Sequence, residues 1–139
     1  MCENRCHDNC HDHCQDRHKF FEEGIKAISE GIEFEKKGVR EIRRGRVCEG
    51  EREVREGLCF VEKGVEILKK DAEYMVFDCQ SKRLFEKGIC ELEKGIREEY
   101  EGLRLLPCNT CEAIRLLERG ICFMEKGLCD VRRSLECFL

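Results

Sequence analysis

Glycine recurs every seven residues through most of this chain, and it does so inside a helical apolar pattern. Gly24, Gly31, Gly38 and Gly45 form one run, Gly50, Gly57 and Gly64 a second, Gly88, Gly95 and Gly102 a third, and Gly120 and Gly127 a fourth. A seven-residue spacing returns a side chain to the same helical face, and aliphatic residues such as Ile25, Ile32 and Val39 follow directly behind the glycines. A mid-helix glycine costs roughly 0.5–1 kcal/mol against alanine. Twelve of them cost about 10 kcal/mol together, comparable to the whole stability of a typical domain. The offsetting gain is close helix approach, because a missing Cβ admits the neighbour's side chain or backbone. Such a sequence therefore folds as closely packed helices.

The phrase LLERGICFMEKGLCDV (116–131) has echoes in GLCFVEKGVEIL from Gly57, FEKGICELEKGI from Phe85 and FFEEGIKAISEGIEF from Phe20. The leading glycines Gly24, Gly57, Gly88 and Gly120 give a repeat of about 32 residues. Four units of about 27 helical residues, each roughly 40 Å long, joined by short turns, predict an all-α, up-and-down antiparallel four-helix bundle. The bundle is expected over 20–139, behind a Cys/His-rich N-terminal extension over 1–19. The same units can also pair between chains. A reversal is expected around Arg46 to Gly50, with a continuous, phase-shifted helix as the competing reading. A break with capping side chains is expected at Asp78 to Ser81. Pro107 stops the third helix, and Asn109 with Glu112 forms a variant capping box for the fourth.

With glycine at heptad position g, the aliphatic seam falls at a and d, and position c adds Phe34, Phe60, Ile67, Leu84, Leu105, Leu116 and Phe123. This arc is wider than a two-stranded seam needs. The glycines named for helix packing are Gly24, Gly31, Gly38, Gly57, Gly64, Gly88, Gly95, Gly120 and Gly127. They either pack a core within the chain or serve contacts between subunits.

Thirteen cysteines are the compositional anomaly. Cys59, Cys90, Cys122 and Cys129 all fall at position b, opposite the apolar arc, and are expected to face outward. An inward reading, as small buried hydrophobes, is the alternative. The odd total leaves at least one thiol unpaired within a monomer.

Residues 1–19 hold Cys2, Cys6, Cys10 and Cys14 at four-residue spacing, together with every histidine of the chain: His7, His11, His13 and His18. Cysteines four apart on a helix do not readily bond one another, so their partners are metal or another helix. Thiolates suit Cu(I), and mixed thiolate–imidazole sets suit Zn(II), so these eight residues are the candidate metal ligands. Cys108 and Cys111 form a C-x-x-C pair at a helix start, outside any βαβ context, and read as a turn-side staple or metal pair.

The C-x3-C ladder of Cys2, Cys6, Cys10 and Cys14 in an all-helical chain resembles the cysteine-rich four-helix-bundle copper-storage proteins. That resemblance implies Cu(I) held by thiolates. The bundle helices here carry glycine and aliphatic residues inward instead, so the ladder alone bears the likeness.

Charged residues make up 40% of the chain with a net charge of −4, and no basic run points to nucleic acid. No stretch is long and apolar enough to span a membrane. The first twenty residues contain no apolar h-region, so synthesis in the cytoplasm without a signal peptide is expected, with an extracellular or spore-surface assembly as one destination. The sequence shows no nucleophile motif, no phosphate-binding glycine loop and no inward carboxylate pair, and an enzyme is not expected. The leading expectation is a structural building block that forms a homo-oligomer or polymer. Its subunits are cross-linked through Cys2, Cys6, Cys10, Cys14, Cys59, Cys90, Cys122, Cys129 and Cys137, in a filament, lattice or coat. The alternative is a thiolate-rich Cu(I) or Zn(II) binding or storage protein.

Overall fold

A computed structural model describes the backbone of residues 2–136 and the side chains of residues 21–136. Four helices follow in order: α1 (Cys2–Arg43), α2 (Val47–Glu73), α3 (Cys79–Leu105) and α4 (Thr110–Leu135). Their lengths are 42, 27, 27 and 26 residues, so α1 exceeds the expected length. Nothing between Cys2 and Lys19 breaks a helix, since the segment lacks both glycine and proline, and α1 runs through it.

The first reversal lies at 44–46, earlier than expected. Gly45 has φ +90 and leaves the heptad ladder to close α1. The Gly45 N–H donates to the Ile42 carbonyl at 3.0 Å and the Arg46 N–H to the Glu41 carbonyl at 2.9 Å, the bonding pattern of a Schellman motif. Gly50, at the far edge of the expected reversal and the first glycine of the second run, sits inside α2. Asp78 caps α3, its Oδ1 accepting from the Ser81 N–H at 2.8 Å and its Oδ2 from the Ser81 hydroxyl at 3.1 Å. Asn109 caps α4, accepting from the Glu112 N–H at 3.2 Å. Asn109→Ala should therefore cost about 1 kcal/mol in urea unfolding.

The Ser81 donors hold the Asp78 carboxyl below its ordinary range. A depressed carboxylate contributes stability above its unfolded pKa and loses it as pH falls through the folded value. Asp78→Asn should keep the cap and flatten the acid limb of a stability–pH curve, whereas Asp78→Ala should lose the cap at every pH.

The glycines set the architecture. Gly24 faces Gly64, Gly31 faces Gly57 and Gly38 faces Gly50, each pair of numbers adding to 88. Between α3 and α4, Gly88 faces Gly127, Gly95 faces Gly120 and Gly102 faces Ala113, adding to 215. The backbones touch along both ladders. A Cβ on Gly31 would lie 2.5 Å from the Gly57 carbonyl oxygen, and one on Gly57 would lie 2.5 Å from that of Gly31. Cα–H groups and carbonyls meet at such rungs, and dispersion contacts accumulate along the seam, which offsets the helix-propensity cost. These contacts lie within one chain, between neighbouring helices.

The bundle is thus two glycine-seamed hairpins, α1–α2 and α3–α4, each packed far more intimately than the hairpins pack on one another. Gly24, Gly31 and Gly38 stand 64 residues before Gly88, Gly95 and Gly102, so the 32-residue repeat is half of a duplicated hairpin. The hairpins meet along α1/α4 and α2/α3, leaving α1 and α3 diagonal. Exposed polar contacts frame these seams: Lys36–Glu125 at 3.0 Å and Arg43–Glu118 on one side, Lys69–Glu93 at 2.8 Å and Tyr100–Glu62 on the other. One apolar core runs between the hairpins, with Ile28, Leu58, Leu68, Leu92, Leu117, Met124 and Val131 fully buried. Part of the wide arc is covered within the chain. Leu116 is buried, Phe34 stacks on Phe60 with ring centroids 5.6 Å apart, and Lys94 lies over the Phe123 ring.

Candidate functional site

Cys48, Cys59, Cys79, Cys90, Cys108, Cys111, Cys122 and Cys129 are all exposed, and none is in a disulfide. Cys59 on α2, Cys90 on α3, and Cys122 and Cys129 on α4 project to solvent because each lies one residue beyond the buried position after a ladder glycine. The other four cluster at the ends. Cys48 in the first turn of α2 shares one end with Cys108 and Cys111, while Cys79, the first residue of α3, lies at the opposite end. The side chains of Cys2, Cys6, Cys10, Cys14, His7, His11, His13, His18 and Cys137 lie outside the described residues. Among the described residues, no group of three or more His, Cys, Asp or Glu side chains could hold a metal ion. No described helix is long and apolar enough to cross a membrane.

The interior holds something the sequence reading denied. Glu35 on α1 and Glu99 on α3 are fully buried, so an inward carboxylate pair does exist. Both occupy heptad position d, which Ile28 and Ile42 fill elsewhere on α1, and Phe85 and Leu92 on α3. Gly57 and Gly120 make room for them: a Cβ on Gly57 would lie 2.6 Å from the Glu35 Cγ, and one on Gly120 would lie 2.5 Å from the Glu99 Cγ. Among the described residues, no N–H, Lys, Arg or hydroxyl donor reaches any of the four carboxyl oxygens. Each carboxyl is the one titratable group among the described residues that acts on the other. Burial pushes Glu35 up to about 7 against the lowering effect of its bond from Glu99, and burial, then the bond to Glu35 and the Glu35 charge, hold Glu99 well above the usual carboxylate range. Both shifts favour the protonated forms, and burial of two like charges side by side favours keeping a proton on the pair. Its two members stand 64 residues apart, like the ladder glycines of α1 and α3, and that coincidence at a core position was the readable signal.

A second acid pair, Glu91 and Asp130, lies within the α3–α4 hairpin, where Lys87 stands 4.0 and 3.9 Å from the two carboxylates. Burial, reinforced by Asp130, raises Glu91. Cys90 lies on the rim of an open groove between α2 and α3, whose apolar lining includes Met75, Phe77, Phe85 and Ile89.

Comparison of the chain with protein-family models, curated proteins and solved structures found no match.

Proposed function

We propose that this protein is a structural building block whose copies are joined covalently through outward thiols. One observation carries the reading: every described cysteine is exposed and unpaired, and the thiols are spread over three helices and both ends of the bundle. Two thiols on one face would join a dimer. Thiols on several faces give each subunit more than two attachment points, which a filament, lattice or coat requires. Each bond forms when two thiols of different chains lose two electrons to an external oxidant and release two protons. The Cys/His ladder of residues 2–18 supports a second reading, Cu(I) or Zn(II) binding, and metal at the ladder can itself join subunits.

The native protein, alkylated without reductant, should run on denaturing gels as a ladder of high-mass species that collapses on reduction. Replacing Cys59, Cys90, Cys122 and Cys129 together by serine should remove most of that ladder and leave helicity unchanged, because these side chains lie outside the core. A single monomer band with most thiols free to alkylation would sink the cross-linking reading. Protection of those thiols that a chelator removes would favour metal binding.

A further inference from the structure

We infer that Glu35 and Glu99 form a proton-operated latch between the two hairpins: the bundle stays closed while the pair holds a proton and opens along the α1/α4 and α2/α3 seams when both carboxyls ionise. This inference does not depend on cross-linking.

The argument starts from unequal seams. Inside each hairpin, facing glycines bring backbone within a Cβ's reach of backbone, so neither hairpin has slack. Between hairpins the packing is sparser and framed by exposed ion pairs, which contribute little. The buried carboxyls come from opposite sides of that weaker boundary, Glu35 from the first hairpin and Glu99 from the second.

Among the described residues, no other charge balances them. On α2 and α4 the surfaces turned to the pair are the glycine faces of Gly57 and Gly120. The charged neighbours of those glycines, Glu56 on α2 and Glu118 and Arg119 on α4, are exposed. With one proton between them, one carboxyl can donate to the other. With none, two like charges stand in an apolar core without a donor, and repulsion adds to desolvation. The lowest-cost relief is to admit water between the hairpins, since opening a hairpin would break a glycine seam.

The sign follows from proton counting. An acid whose folded pKa is raised binds more protons folded than unfolded, so the stability it contributes is complete below its unfolded value and is lost as pH rises through the folded one. For Glu35 the loss runs from its ordinary 4.5 to about 7, and Glu99, raised by burial and by Glu35, adds to it with the same sign. Glu91 and Asp71 shift in the same direction, but they lie within hairpins, beside Asp130 and Glu23 respectively, and account for a residual slope. Tyr100, held up to about 12 by its bond to Glu62, stays protonated throughout.

The test compares the reduced full-length chain with the Glu35→Gln/Glu99→Gln double variant, whose amides can bond each other without charge. Between about pH 5.5 and about pH 9 the wild-type melting temperature should fall by roughly 10 °C, and that of the variant by less than half as much. At the higher pH and room temperature, the wild type should keep its far-UV helicity while its binding of an apolar-surface dye rises several-fold, and the variant should show no such rise. A flat wild-type profile, or a variant that keeps the full fall, overturns the latch. So does loss of helicity in step with dye binding, because the carboxyls would then only weaken the whole fold.

Discussion

Gly31→Ala should destabilise the protein by about 3 kcal/mol, although alanine is the better helix former. Its Cβ would lie 2.5 Å from the Gly57 carbonyl oxygen and 2.7 Å from a Val61 methyl. The oxygen belongs to a helix backbone, so relief requires moving α1 away from α2 along several rungs, with loss of contact at each. Gly57→Ala meets the reciprocal oxygen of Gly31 and should cost a similar amount. Gly102→Ala is the contrast. Its Cβ would lie 3.0 Å from the Ala113 oxygen, and its other near neighbours are Leu117 side-chain atoms that can rotate away. Nature already tolerates a methyl on that rung, at Ala113, so the gain in helix propensity should bring the net effect within about 1 kcal/mol of zero. Gly45→Ala meets no neighbour and should lose about 1 kcal/mol through its left-handed φ alone. Urea midpoints at constant slope would rank the four. If Gly31→Ala proved as stable as the wild type, or Gly102→Ala as harmful as Gly31→Ala, backbone contact would not be what the ladder supplies.

Replacing both interior acids by leucine should have the opposite effect, raising stability by about 2–4 kcal/mol at neutral pH. The described d positions next to the pair, Ile28 and Ile42 on α1 and Leu92 on α3, are aliphatic, leucine is close to glutamate in volume, and no donor among the described residues is left behind because none reaches the carboxyls. The single Glu35→Leu variant leaves Glu99 as an isolated, protonated acid. Its gain should be smaller, and because Glu35 no longer raises Glu99, its remaining loss of stability should end at lower pH than in the wild type. If the double-leucine protein were less stable than the wild type, the pair would be making bonds within the core that outweigh its burial.

The helices and their ends could be read from local chemistry. Heptad aliphatics define the amphipathic faces, while Asp78, Pro107 and Asn109 mark boundaries through a cap, a missing N–H and a second cap. The outward placement of Cys59, Cys90, Cys122 and Cys129 could also be read, because a helix turns each residue by a fixed angle and the glycine face is unmistakable. The Arg44–Arg46 turn was misplaced because Gly45 continues the heptad count to the last step, and only its positive φ reveals it as a cap.

Periodicity fixes what one helix does and is silent on which helix it meets. Glycine at position g announces close approach, but the choice of α1 with α2 and α3 with α4 rests on a register in which facing glycines coincide along the seam, a property of two backbones together. The same holds for Glu35 and Glu99. Each alone looks like one of thirty acidic residues in a highly charged chain. Only the packing of the second hairpin on the first removes both from water and sets each carboxyl against the other.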